Sequence, residues 1–542
     1  MERRMNGERL DVVVVGGGFA GLYMLHHARQ RGLRARLYEA ADGVGGVWYF
    51  NRYPGARCDV ESVDYSYSFS EELQQEWSWS DRYASQAEIL RYLEHVADRF
   101  DLRRDIRLRS RVTAASFDEA ADEWLIETDR GEQVRARFCV MATGSLSVPR
   151  IPPYPGLEDF HGRCLLTAAW PQEPVELAGQ RVGVIGTGSS GTQLVPVLAR
   201  QAAHLHVFQR TANFTVPAQH EPMTPEYERE IKAQYPERRR TARQTTSGLY
   251  ADMSRQSALE ASEAERRRVY EAQWSTAGFG FILSFRDLLL DRRANDTAVA
   301  FIHERIREQV DEPAVADLLC PVDHPFGTKR PPVDSDYYRA FNRENVTLVD
   351  VRRAPIEAIT PRGLRTAQAE YELDVLIFAT GFDAMVGALE RIDIRGREGI
   401  ALAEKWVQGP RAYLGVASAG FPNLFTITGP GSPSVLGNMI VSIEQHVEWI
   451  GELLDHARGA GTTRIEADGD AEDAWVAHVG ELADATLYPL ANSWYLTGER
   501  GQPRAFMPYA GGLRRYRRRC EQVAADGYEG FTLSARAPLG GT

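Results

Sequence analysis

The clearest pattern near the start of the chain is Asp11-Val-Val-Val-Val15, an unbroken β-branched run of the kind that forms a parallel strand covered on both faces. It runs directly into Gly16-Gly-Gly18-Phe19-Ala-Gly21, and a helical stretch follows to about Arg31. A second strand, Arg34 to Tyr38, ends at Glu39. The same order returns later. Arg181-Val-Gly-Val-Ile185 leads into Gly186-Thr187-Gly188-Ser189-Ser190-Gly191, a helix to about Gln201 and a strand at Leu205 to Phe208. Two strand–turn–helix–strand units about 170 residues apart predict an α/β fold with two Rossmann-like dinucleotide-binding domains.

The punctuation between them suggests where the domains meet. Pro149-Arg-Ile-Pro-Pro-Tyr-Pro155 is a proline-rich connector. The stretch from about Pro217 to Val322 is charged and helical, and reads as a helical insertion in the second domain. Its arginine clusters, at 238–240, 266–268 and 292–293, read as solvated helix faces. Leu376 to Asp383 ends a strand and is expected to return the chain to the first domain. The predicted division is 1–145 for the first part of one dinucleotide-binding domain, 146–382 for the other, and 383–542 for the second part of the first domain with a C-terminal loop.

Composition narrows the function. The 542 residues exceed what one core usually organises, and the 43% hydrophobic and 25% charged content is ordinary for a globular chain. A net charge of -12 without a basic run argues against nucleic acid and anionic membranes. Five scattered cysteines without a Cys-x-x-Cys pair predict neither a disulfide framework, nor a dithiol centre, nor a metal site, and suit a reducing cytoplasm. The first residues, Met-Glu-Arg-Arg-Met-Asn-Gly-Glu, lack the apolar core of a signal peptide. No window of about 20 apolar residues predicts a membrane span, and no obligate protein partner is evident.

A glycine-rich turn alone says little, but each of these follows a strand and opens a helix. In that context the first Gly makes the turn, the second admits the pyrophosphate, and the third lets helix and strand pack closely. The diphosphate then meets the positive helix end. Glu39 lies 18 residues after Gly21, where a carboxylate accepts the hydroxyls of an unphosphorylated ribose. At the equivalent distance after Gly191 stand Gln209, Arg210 and Thr211. Loss of the carboxylate and gain of a guanidinium suit a 2′-phosphate, so the second unit should select NADPH.

Gly45-Gly46-Val47-Trp48 after the first unit, with Ala-Thr-Gly at 142–144 and 379–381, resembles two-domain flavoprotein oxidoreductases, which places FAD in the first unit. Phe160-His-Gly162-Arg-Cys-Leu-Leu166-Thr-Ala-Ala-Trp170-Pro171 closely resembles the Baeyer–Villiger monooxygenase fingerprint, with Leu166 where that family has a histidine. The resemblance extends over essentially the whole chain and is closest to the phenylacetone and steroid monooxygenase branch. It implies that NADPH reduces FAD, that oxygen adds as a C4a-peroxyflavin, and that an apolar ketone becomes an ester or lactone. It further implies Arg330 as the catalytic cation, Asp59 as the acid that orients it, and Lys329 beside Arg210 and Thr211 at the 2′-phosphate. Arg57 and Trp494 are implied at NADP, Trp494 on a mobile loop. Met439 is implied beside the flavin, and Ser434, Val435, Leu436 and Gly437 at the substrate pocket, where Gly437 should leave extra space. Nitrogen or sulfur oxidation is the nearest alternative. Leu166 alone favours another, an uncoupled NADPH oxidase or sensor.

Overall fold

The computed structural model describes residues 9–218, 221–276, 278–498 and 504–535. The N-terminal octet read above for targeting lies outside them. Two sheets carry the architecture. In the first, strands Arg9–Val15, Ala35–Tyr38 and Ile106–Arg107 run parallel on one side of Gln133–Met141. An antiparallel excursion through Glu123–Thr128 to Val112–Asp118 extends the other side. Late strands Asp393–Arg395 and Leu424–Thr426 join this sheet. The C-terminal part of the chain therefore completes the first sheet.

The second sheet is parallel throughout, in the order Val346–Asp350, His204–Gln209, Arg181–Ile185, Val375–Phe378 and Arg163–Leu166. The helices Phe19–Gln30 and Ser189–Gln201 follow the first strand of each unit. The valines of the opening run show why the strand forms. Val12, Val13 and Val14 are fully buried, alternate residues entering the cores on opposite faces of the sheet.

Both glycine turns are sterically compulsory. A Cβ on Gly21 would lie 1.8 Å from the Gly16 carbonyl oxygen, and one on Gly191 would lie 2.3 Å from that of Gly186. Gly16 and Gly186 themselves have φ of +108° and +112°, where L-residues are strained. Same pattern, same geometry.

Residues between the second unit and the return to its sheet form helices Pro225–Ala242, Glu263–Thr276, Arg292–Arg307 and Pro313–Leu319. The reading of the 238–240 cluster as a solvated face is wrong for two of its members. Arg238 and Arg239 are buried. Arg238 forms a bidentate pair with Asp64, at 2.6 and 2.7 Å, and Arg239 donates to Ser66 at 2.7 Å. Their partners come from the first domain, far away in sequence, so charge pattern alone could not reveal the burial.

Asp334 follows the Lys329-Arg330 segment and accepts from the Tyr337 amide at 2.6 Å. Burial pushes its carboxyl from 3.8 up to about 7 despite that bond. The folded chain therefore holds this proton more tightly than the unfolded chain. The associated stability is present below the unfolded value and is lost as pH rises toward about 7. Asp334→Asn should add about 1–3 kcal/mol at pH 8 and little near pH 4, read by urea unfolding at both. An equal gain at the two pH values would contradict this linkage.

Candidate active site

The first turn is an open cradle. Gly45 N–H donates to the Gly17 carbonyl at 2.9 Å, so the Gly45–Trp48 segment lies directly against the turn. A Cβ on Gly46 would come within 3.1 Å of Gly18 Cα. Helix Phe19–Gln30 begins after Gly18 without a side-chain cap, which leaves its N-terminal amides for an anion. Glu39 is buried at the strand end, where its carboxylate accepts from Gly17 N–H at 2.6 Å and Ala41 N–H at 2.8 Å. Trp48 Nε1 lies 3.3 Å from the Tyr65 hydroxyl.

The second cradle is built alike and charged differently. Ser189 and Ser190 open a helix that again has no side-chain cap at Gly188, and a Cβ on Gly188 would meet nothing within 4 Å. Thr187 Oγ1 donates to the Thr211 carbonyl at 2.7 Å, tying the glycine turn to the strand end. Gln209 is buried, donates to Leu318 and leaves its Oε1 without a partner among the described residues. Arg210 is exposed beside it. Burial lowers the Lys329 ammonium from its ordinary value; Asp323 opposes this, while Arg210 and Arg352 add to it. A surplus of positive charge thus gathers at this strand end. Arg352 was missed in the sequence. Its position follows from strand Val346–Asp350 pairing beside His204–Gln209, a register that no local motif announces.

Segment 53–59 joins the two units. Tyr53 OH donates to Gln193 Oε1 at 2.8 Å, and Gln193 Nε2 donates back to the Arg57 carbonyl at 3.0 Å. The Arg57 side chain turns to the Tyr83 carbonyl at 2.8 Å. Two residues on, Asp59 Oδ2 accepts from Arg330 Nε at 3.1 Å. Arg330 Nη1 donates to the Val435 carbonyl at 3.2 Å, and the guanidinium lies 4.4 Å from the Phe279 ring centroid. Burial works against the charge of Arg330, but Asp59 and Tyr495 together outweigh it and hold the group above the ordinary arginine range. The side chain retains 26% accessibility, toward a cavity of about 260 Å³. Burial pushes the Tyr495 hydroxyl in the same wall up to about 12, with Arg330 opposing the rise.

Most of that wall is apolar, including Val60, Ile282, Leu289, Val435 and Leu436. Gly437 also lines it, but the expected extra space is absent. A Cβ there would lie 2.7 Å from the Ser247 carbonyl, so the glycine serves close packing of the 246–247 backbone. Ser434 does not line this cavity. It is fully buried, with its Oγ 4.0 Å from Sδ of Met385 and of Met439. Trp494 is half-buried, its ring edge-on to Tyr495 at 4.5 Å; residues 499–503 beyond it lie outside the described segments.

A family model described as pyridine nucleotide-disulphide oxidoreductase matches residues 13–279. A Baeyer–Villiger monooxygenase of Pseudooceanicola batsensis is 42% identical, covering 96% of each chain. The chain belongs to the Baeyer–Villiger monooxygenase family. Phenazine N-monooxygenase PhzNO1 of Lysobacter antibioticus is 43% identical, over 96% of this chain and 97% of its own. Among solved structures, oxidised steroid monooxygenase bound to NADP superposes with a TM-score of 0.94 at 52% identity, over 98% of this chain and 100% of the other. The OTEMO complex with FAD and NADP gives 0.94 at 40% identity, over 97% and 99%.

Within this Baeyer–Villiger monooxygenase the fingerprint has a packing logic. A Cβ on Gly162 would lie 2.4 Å from both the Asp374 carbonyl oxygen and the Phe160 ring. Trp170 is buried, and its N–H donates to the Phe50 carbonyl at 3.2 Å, fastening the segment to the first domain. Thr167 Oγ1 donates to Phe378 O at 3.2 Å. Leu166 pairs with Phe378 in the second sheet and packs on a cluster that includes Phe208, Leu364 and Leu376. Leucine is therefore the residue this apolar environment favours. Leu166→His should lower stability by about 1–2 kcal/mol through lost apolar contact. Urea unfolding with no loss would show that the site tolerates the imidazole.

Proposed function

We propose that this protein oxidises apolar ketones to esters or lactones with NADPH and molecular oxygen, using FAD. The observation that carries the reading is the Arg330–Asp59 pair: a cation fixed on the wall of an apolar cavity, at the seam between two dinucleotide cradles. The residues present suit both cofactors. Gly16, Gly18 and Gly21 clear the first cradle, with Glu39 at the ribose end and Gly46, Val47, Trp48 and Met439 alongside. Gly186, Gly188 and Gly191 clear the second, with Arg210, Thr211, Lys329 and Arg352 supplying cations and a hydroxyl for the 2′-phosphate. When bound, FAD supplies the hydride acceptor and the oxygen-activating centre.

Each residue of the seam then has a physical task. Asp59 engages Nε and Val435 engages Nη1, which leaves Arg330 Nη2 without a partner among the described residues. That edge is positioned to stabilise the negative charge that develops on a ketone oxygen under attack. Preorganisation makes such a contact strong, because the cation needs no reorientation in a site poor in water. Phe279 and the aliphatic wall exclude water and accommodate the carbon skeleton. We assign domain limits near 145 and 382, where the connectors cross between the two sheets, and a cytoplasmic location. The scattered cysteines support the location; among the described residues no helix is long and apolar enough to cross a membrane.

The deciding assay follows aerobic NADPH consumption by the FAD-loaded protein with acyclic, cyclic and aryl ketones, quantifying ester and hydrogen peroxide together. A phenazine and a sulfide belong in the same panel. Ester in proportion to NADPH establishes the reading; N-oxide or sulfoxide alone, or peroxide alone, overturns it. Arg330→Lys should lower ester formation by about 100-fold or more while NADPH consumption continues as peroxide, since lysine cannot reproduce the fork. Arg210→Gln should raise the KM for NADPH by about 10- to 100-fold and leave that for NADH nearly unchanged. Equal effects on the two coenzymes would remove Arg210 from the 2′-phosphate.

A further inference from the structure

A second, larger cavity of about 920 Å³ lies where helix Pro225–Ala242, the following turn and helix Leu513–Ala525 face the first domain. Its wall carries six arginines, 239, 240, 243, 514, 517 and 518, and three carboxylates, Glu71, Asp252 and Glu521, while Glu237, Glu444 and Glu448 reach Arg240 and Arg243 from beyond it. Several of the six are already committed. Arg239 donates to Gln74 and Ser66, Arg240 pairs with Glu237, and Arg514 pairs with Asp252. Arg243 reaches Ser68 Oγ at 2.9 Å, with Glu448 at 3.5 Å and Glu444 at 3.6 Å.

Arg517 is different. Its Nε and Nη2 are shut off from solvent and have no hydrogen-bond partner among the described residues. Burial and the neighbouring Arg243 both lower its pKa, and the fields of Glu448 and Glu521 oppose them without either carboxylate pairing with it. Arg518, one residue on, is exposed and forms no ion pair among the described residues. Arg517 is only partly buried and still lines the cavity, so an anion with several oxygens can reach the accessible part of a guanidinium that no carboxylate pairs. The planar fork of arginine favours phosphate over a point-like anion.

We propose that this basic cavity is a binding site for a diphosphate group, engaged by Arg517 and Arg518 and separate from both dinucleotide cradles. It backs directly onto the apolar cavity. Gln244, Thr245, Tyr250 and Asp252 line the basic side, while Thr246, Ser247, Leu249 and Met253 of the same segment line the other. Helix Leu513–Ala525 is shared likewise, with Leu513 on the apolar side and Arg514, Arg517 and Arg518 on the basic side. A bound diphosphate would fix this partition, and with it the shape of the ketone site. The binding claim stands on its own; the effect on ketone kinetics rests on the proposed activity.

The test is calorimetric titration of FAD-loaded protein, saturated with NADP, using inorganic pyrophosphate at low ionic strength. One binding event is expected, weakened at least tenfold in Arg517→Gln and in Arg518→Gln. The exposed position of Arg518 makes its variant a control against misfolding, and circular dichroism and FAD content should match wild type. ADP in place of pyrophosphate distinguishes the sources: competition at the same site indicates a nucleotide, and binding of pyrophosphate alone indicates the free anion. Either supports the site. Absence of binding, binding indifferent to both substitutions, or an equal response to sodium chloride at matched ionic strength overturns it. If binding holds, saturating pyrophosphate should shift the KM for ketone at least twofold. An unchanged KM would sink the coupling and leave the binding result intact.

Discussion

A single ion pair sets the terms for the rest of the structure. Asp59 belongs to a loop of the first domain and Arg330 to the end of a long excursion from the second, and they meet at 3.1 Å beside an apolar cavity. Withdrawing a guanidinium from water is expensive unless a carboxylate meets it. Asp59 meets that cost only if segment 53–59 is held against the second unit, which Tyr53 and Gln193 accomplish. The Val435 carbonyl and Phe279 ring fix the remaining orientation. Positioning one charge thus draws on segment 53–59, Gln193, Phe279 and Val435, stretches widely separated along the chain.

The two nucleotide units were legible because their logic is local. Gly16 to Gly21 and Gly186 to Gly191 each close a turn whose sterics involve residues five apart, so the sequence pattern and the spatial constraint coincide. Strand and helix limits followed to within a residue or two, as with Arg181–Ile185 and Ser189–Gln201. Assigning Arg330 and Asp59 needed the family resemblance, since 271 residues separate them and nothing in their spacing predicts a meeting. Arg352 went unseen for the same reason. Gly437 was misjudged because a glycine looks like space in a sequence, whereas here the Ser247 backbone occupies it.

The helical region shows the opposite failure. Arg238, Arg239 and Arg240 look alike in the sequence, yet the first two are buried against Asp64 and Ser66 while the third pairs at the surface with Glu237. An arginine run on a helix carries no mark of which member turns inward. The same helix and turn supply part of the basic cavity. Leu166 is instructive too. The fingerprint suggests a polar residue; the surrounding Phe208, Leu364 and Leu376 explain an apolar one, with Thr167 and the Trp170 backbone keeping the hydrogen bonds of the segment.

The reciprocal contact between segment 53–59 and helix Ser189–Gln201 has a mechanical corollary. Gly55 is pressed so closely on this helix that a Cβ would lie 2.4 Å from the Gln193 carbonyl oxygen. Such a junction resists sliding, and a rotation about it would pivot there, as about a fulcrum. Points near it, including the Arg330–Asp59 pair, would sweep short arcs, and the distant edges of the second sheet would sweep long ones. Any turning of one half against the other about this joint would leave the charge at its pivot almost in place.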